Sequence, residues 1–408
     1  MYQEQWNGYA AFKVQSALGS QAYGADAKVL RQTGGTGIRM TKAAIESKEV
    51  RRDGLSTRGR HGLQKTAGGY TSELSLGGFD DILEAVMRGT WSSANLQLTQ
   101  ADFTSITTGA NTIVFAAGSP ISLGVKVGDV WRLTNHSSAA NNSINLRVTG
   151  VSSTTITVAE TLVVNAVADT ACELTRTGRV LVNPGAGNLV KRYFTVEEYE
   201  YDLDQSEVAT DAVWGSYKLT MQPNGLLTLD TSLVGTGQFA ALASGSSPLF
   251  TSPVTSTGVP LAVVEAKLRL GSTDMVDLTS FDVTVDIRPS SPDVISPNKY
   301  APAVFNGSEM VTMNLSMLRK DLLAVADFVD ETPLSLHVLA EENESTPTDF
   351  FSLFVGNFTL GSVDKSALAK EGGPRTQTIA IPPSLVGVDN TGAGYDVTQC
   401  KLQVSNAS

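Results

Sequence analysis

Residues 68–91 read GGYTSELSLGGFDDILEAVMRGTW. Tyr70, Ser72, Leu74 and Leu76 fall on one face of an extended chain, and Thr71, Glu73 and Ser75 on the other. After Gly77 and Gly78 the period lengthens. Phe79, Ile82, Leu83, Val86 and Met87 recur at i, i+3, i+4, i+7 and i+8, one stripe of a helix. Asp80 and Asp81 in the first turn and Arg88 in the last suit the helix dipole. Gly89 is expected at the C′ position. The pattern predicts a strand that runs into a short amphipathic helix.

The same pattern returns at residues 307–332, GSEMVTMNLSMLRKDLLAVADFVDET. Val311, Met313, Leu315 and Met317 alternate with Thr312, Asn314 and Ser316. Leu318, Leu322, Val325 and Val329 then recur at helical spacing, and DILEAV (81–86) overlays DLLAVA (321–326). The segments after the two helices also match. RYFTVEEYEYDLD leads to a hairpin through Pro223-Asn224-Gly225, and LHVLAEEN leads to one through Gly372-Gly373-Pro374. The ordered agreement predicts an internal duplication.

The first copy is interrupted. Residues 97–178 carry short Val/Ile/Thr-rich runs between Gly, Asn and Ser clusters, with no helical stripe, which predicts a small β-domain. The expected fold is mainly β: two β-sandwich modules, each with one flanking helix, plus this insertion. The expected division is 1–96 with 179–250, then 97–178 as an accessory domain, then 251–408. The ends of the insertion are expected to lie close together.

The chain has 408 residues, 17% of them charged, and a formal net charge of −11. An acidic balance argues against a general nucleic-acid grip, which needs a basic face. Cys172 and Cys400 lie in strand-like segments and read as small buried hydrophobes. The N-terminal residues lack the apolar run of a signal peptide, and no stretch reaches the ~18 apolar residues of a membrane-spanning helix.

Candidate chemistry is sparse. His61, His136 and His337 stand apart, and none has a Cys or carboxylate at metal-ligand spacing. GGTG (34–37) lacks the Gly-Lys-Ser/Thr of a phosphate loop. No catalytic, metal or cofactor site is expected. Two charged stretches stand out. Residues 46–66 hold Lys48, Arg51, Arg52, Arg58, Arg60, His61 and Lys65, too polar for a core, so a long loop or an extended hairpin is expected. In FTVEEYEYDLD (194–204), Glu198, Glu200, Asp202 and Asp204 alternate with Glu197, Tyr199, Tyr201 and Leu203. Repulsion between like charges predicts that the first of these faces is wet.

With these stretches in view, the chain resembles the tail tube protein family of long, non-contractile-tailed bacteriophages. The carrying segments are QSALGSQAYGA, residues 45–91, VKVGDVWRL, KRYFTVEEYE and MQPNGLLTLDTSLVGTG. The resemblance covers residues 1 to about 290, and the remainder joins it through the repeat. It implies sandwich modules whose inner sheets join, six to a ring, around a channel that conducts DNA during ejection. Two modules per chain then predict a trimeric ring with pseudo-sixfold symmetry, with a homohexamer as the alternative. It implies a virion protein, assembled in the host cytoplasm, with tape measure, tail terminator and tail tip proteins as partners. It assigns intersubunit contacts to the basic stretch: Arg51, Arg52, Arg58, Arg60 and Lys65. The acidic strand is either ordinary outer surface or channel wall. In the second case Glu198, Glu200 and Asp202 line the channel, with Glu341, Glu342 and Glu344 as second-copy counterparts. The competing class is a distal-tail, adhesin or capsid-decoration binding protein on a related sandwich. Trp6, Trp91, Trp131 and Trp214 are scattered, which disfavours a carbohydrate site.

Overall fold

Strands dominate, as the alternating pattern demands. The computed structural model describes residues 2–406 except 94, 143, 186, 296, 344–346, 371 and 390–391. A first run of elements comprises β1 (Gly8–Val14), β2 (Lys28–Val29), β3 (Gln32–Ile45), β4 (Arg60–Glu73) and helix α1 (Asp80–Met87). After the inserted segment come β5 (Arg179–Val182), β6 (Phe194–Glu200), β7 (Gln205–Met221), β8 (Thr228–Gly235) and β9 (Phe239–Leu242). A second run begins with β10 (Ala266–Leu270), β11 (Thr273–Met275), β12 (Leu278–Asp286), β13 (Met310–Leu318) and α2 (Leu323–Val329). It ends with β14 (Leu334–Glu341), β15 (Phe350–Phe358), β16 (Ser362–Lys365), β17 (Thr376–Ile381) and β18 (Lys401–Ser405).

The two runs pair in the same order. One sheet reads β3-β4-β8-β7 in the first and β12-β13-β17-β16 in the second, and β7 pairs with β12. The result is one continuous path of eight antiparallel strands, β3-β4-β8-β7-β12-β13-β17-β16. A second layer reads β2-β1-β6-β7-β9 in the first run and β11-β10-β14-β15-β18 in the second, the latter extended by β5. β7 serves both layers because it bends. Asp211 takes a positive φ of 59°, and a register shift comes between Trp214 and Ser216. In the second run the same passage is broken between β15 and β16.

The helices fix the alignment of the runs. Phe79 caps α1 with φ −115°, ψ 6°, and Leu322 caps α2 with φ −112°, ψ 11°. Arg88 and Glu331, each nine residues further on, have φ 52° and 50°. Both pairs are 243 positions apart. The DILEAV/DLLAVA overlay is therefore out of register by three residues, and Asp81 matches Ala324 rather than Asp321. The left-handed residue after α1 is Arg88, not Gly89. Gly89 is needed for another reason: a Cβ there would lie 2.3 Å from the Val182 carbonyl oxygen of β5.

Between the layers of the first run sit Phe12, Phe194, Tyr70 and Trp214, with ring centroids of Phe12 and Phe194 at 5.9 and 6.3 Å from Trp214. α1 closes one side, burying Ile82, Leu83, Val86 and Met87. The same core continues into the second run through Val283, Val285, Val311, Met313 and Leu315.

The segment from Leu96 to Arg176 forms an eight-stranded sheet with its own core around Phe103, Phe115, Trp131 and Cys172. Where it enters and leaves, the Asn95 amide donates to Gly178 (3.0 Å) and the Ser92 amide to Val180 (2.8 Å). It is inserted in the first run but rests on the second. Val130 packs with Leu339 and Phe350. Arg147 reaches Glu160 (2.7 Å) and Asp274 (3.0 Å). Buried Lys401 pairs with Asp129 at 3.0 Å and with Asp396.

Candidate assembly and channel surfaces

The long sheet has one covered and one open face, set by strand alternation. In β8, Leu229, Thr231 and Leu233 are buried, while Thr228, Asp230 and Ser232 look outward. The cross-strand registers extend this open face over the whole path. It carries Thr71 and Glu73 on β4, Ser216, Lys218 and Thr220 on β7, and Asp282, Thr284 and Asp286 on β12. Thr312, Asn314 and Ser316 of β13, Thr378 of β17 and Asp364 of β16 continue it. Hydroxyls and carboxylates lock one another in place. Thr71 Oγ1 donates to Asp230 (2.6 Å), Ser216 and Ser232 hydroxyls meet at 2.6 Å, and Lys218 pairs with Asp282 at 3.4 Å. Glu73, Asp230, Asp282, Asp286 and Asp364 outnumber Arg39, Lys65 and Lys218, so the face is acidic.

Both ends of the path are free edges among the described residues. β3 pairs only with β4, and β16 only with β17. An unpaired edge is a template for another strand. β3 and β4 also extend past the sheet as a long hairpin. Its tip holds Arg51, Arg52 and Arg58, with Arg51 forked onto Asp53 at 2.6 Å. Arg60 and Lys65 stand in β4 itself, and Lys65 pairs with Asp293 at 2.8 Å. The basic stretch is thus the end of a hairpin.

The carboxylates nominated from sequence lie elsewhere, in the second layer. The strand ends at Glu200, so Asp202 and Asp204 sit in a turn. Glu198 shares the inter-sheet face of Phe194 and Val196. It accepts the Tyr70 hydroxyl (2.6 Å) and the Ile38 amide (2.8 Å). The expectation of a wet face therefore fails at Glu198, because partners from the opposite layer satisfy the charge. Burial and then Glu198 push the Tyr70 hydroxyl well up. Burial, then Glu198 and Glu200, raise Glu207. Glu200 is half-buried opposite Gly8. Asp202 accepts the Glu4 amide and the Asn7 side chain, both at 2.8 Å. Glu341 is buried and holds Asn145 (2.6 Å) and Lys267 (2.8 Å). Burial and Asp349 raise Glu342. Glu344 lies outside the described residues.

The histidines stay apart. His337 is buried on Ser352 (2.8 Å) against Phe354, and burial, then Arg147, Lys401 and Arg269, push it well below the usual range. Burial pushes the Cys172 and Cys400 thiols up to about 12. Among the described residues, no three His, Cys, Asp or Glu side chains converge on a common metal position. No helix among them is long and apolar enough to cross a membrane.

The sequence missed the acidic open face because its members come singly from several strands. The signal lay in the polar half of each alternation: Thr228, Asp230 and Ser232 in TLDTSL, Asp282 and Asp286 in FDVTVD.

A family model described as phage tail tube protein matches residues 7–382. No curated protein matches the chain.

Proposed function

The chain belongs to the phage tail tube protein family, and we infer that its long sheets join edge to edge into a barrel whose open, acidic face lines a channel for DNA. The observation that carries this reading is the β7–β12 pairing, which already joins two four-stranded units of one topology inside a single chain. β16 is the counterpart of the second half of β7, and β3 is the counterpart of β12. Pairing β16 of one copy with β3 of the next repeats the internal joint. Such a head-to-tail contact closes into a ring when its rotation divides a full turn.

Three chains supply six units and 24 strands. At about 4.8 Å between strands and a tilt of about 40°, these close on a backbone diameter of roughly 48 Å. That is room for side chains and a DNA duplex. The units are residues 1–96 with 179–250 and residues 251–408, and residues 97–178 form an accessory domain on the outside. The basic hairpin tip reaches a neighbouring subunit or ring, where Arg forks suit carboxylates.

The wall residues in this reading are Glu73, Asp230, Asp282, Asp286 and Asp364, in place of Glu198 and its neighbours. DNA carries about one charge per 1.7 Å of helix axis, so a basic wall would hold it. Carboxylates repel it over roughly 8 Å at physiological salt and keep it centred. The protein is a virion component assembled in the host cytoplasm, with tape measure, terminator and tip proteins at the tube's lumen and ends. The test is electron microscopy of the purified protein, with DNA-ejection rates of phage carrying Asp230→Lys and Asp286→Lys. Tubes with slowed ejection are expected. A protein that stays monomeric at every concentration, or Lys variants that eject at the wild-type rate, contradict the reading.

A further inference from the structure

α1 lies at the internal joint. Its Met87 meets the Tyr217 hydroxyl (3.7 Å) beneath Cys400, and Leu181 of β5 packs beside Gly89. Arg88, at its end, donates to the Gly307 carbonyl (3.1 Å) and faces buried Glu309 at 3.8 Å, both just before β13. Among the described residues, nothing covers α2 in the same way. Phe79 and Val86 are 2% and 0% exposed, while their counterparts Leu322 and Val329 are 63% and 70% exposed. α2 borders β16, the free edge, as α1 borders β7.

We propose that the exposed face of α2 is the seat for the β3–β4 hairpin base of a second copy, with Glu331 facing that copy's Lys42. The inference rests on the barrel reading and names the contact that completes it. The 243-residue alignment fixes the partners. Arg88 maps to Glu331. Gly307 and Glu309 map to Gln64 and Thr66 of β4, whose cross-strand neighbours on β3 are Lys42 and Met40. Ile287 stands next to Glu309 when the β12–β13 register is continued, so its counterpart beside Thr66 is Met40. Ile287 is fully buried at the internal joint, and Met40 is 37% exposed in the single chain. The apolar contact is thus kept and the charges are inverted: Arg88 over Glu309 inside the chain, Glu331 over Lys42 between chains. Acidic Asp327, Asp330 and Glu331 meet Lys42 on that side of the hairpin. Inversion also disfavours the wrong joint, because Glu331 against Glu309 and Arg88 against Lys42 repel.

Full-length Glu331→Lys, Lys42→Glu and the double variant are compared by sedimentation and negative-stain microscopy. Both positions are exposed in the single chain, so circular dichroism is expected to give wild-type melting for each variant. The single variants are expected to raise the concentration needed for assembly at least tenfold, and the double variant to restore it. Val329→Asp is expected to raise it without rescue by any charge change. Single variants that assemble like wild type, or a double variant no better than either single, overturn the seat. If wild-type protein forms no rings or tubes, the barrel reading falls and the seat with it. Wild-type tubes with indifferent variants overturn the seat alone.

Discussion

α1 buries Phe79, Ile82, Val86 and Met87 against β7 and β5. α2, entered and left through the same backbone angles, leaves Leu322, Leu323 and Val329 in solvent. Propensity does not separate them, since both carry an apolar stripe. The difference lies in what the chain places beside each. Beyond α1 the long sheet continues into β12, and beyond α2 it stops at a free edge. The finished joint therefore describes the unfinished one, and the apolar face that a single chain exposes becomes an expected contact.

The largest effect should come from closing the free edge. The Ser366 amide donates to Thr376, and in the same register Asp364 stands opposite Thr378 and Ser362 opposite Ala380. The even-numbered residues of β16 thus turn their amides toward β17, and the amides of Val363 and Lys365 point to the open edge. Val363→Pro with Lys365→Pro removes both donors. Loss of all tubes is expected in micrographs, with a folded monomer by circular dichroism. Normal tubes would break the equivalence of the two joints.

A smaller effect concerns the finished joint alone. Glu309 is buried beside Arg88 and Asn183, and burial raises its pKa from 4.5 to about 7. Below about pH 4.5 it is protonated folded or unfolded and costs nothing. As pH rises, the unfolded chain releases the proton first, so stability falls until about pH 7 and then levels. The full penalty is roughly 3 kcal/mol. Glu309→Gln should flatten the monomer's denaturation midpoint between pH 5 and 7. An unchanged slope in the variant would assign the pH dependence to other groups.

The smallest effect compares matched residues. Val86→Ala should cost the monomer about 2 kcal/mol through lost burial and a cavity, and Val329→Ala less than about 0.5 kcal/mol. Urea unfolding of the monomer reads both. Equal costs would mean that α2 is already covered in the single chain.

Much of this architecture was legible in the chain. The switch of period after Gly78 gives β4 and α1, and its return at 307–332 gives β13 and α2. The repeat's register was not legible, because Asp81 and Asp321 are alike in the string while backbone angles align Asp81 with Ala324. The acidic strand misled for a related reason. Alternation says that Glu198 and Glu200 share a face, but not that Tyr70, 128 residues away, waits on that face to bond Glu198. The open face was hidden by dispersal: Glu73, Asp230, Asp282 and Asp364 become neighbours only through pairing across the sheet. Nor could spacing reveal that the insertion leaves the first run yet rests on Lys401 and Phe350 of the second.

The most direct test of the central claim is a rotational average of the assembled tube viewed along its axis, with the mass of one ring measured independently. Threefold symmetry is expected, with six similar wall units, three inserted domains outside, and the mass of three chains. Strict sixfold symmetry with the mass of six chains would contradict the claim, because two joined units in each chain would then place twelve around the ring.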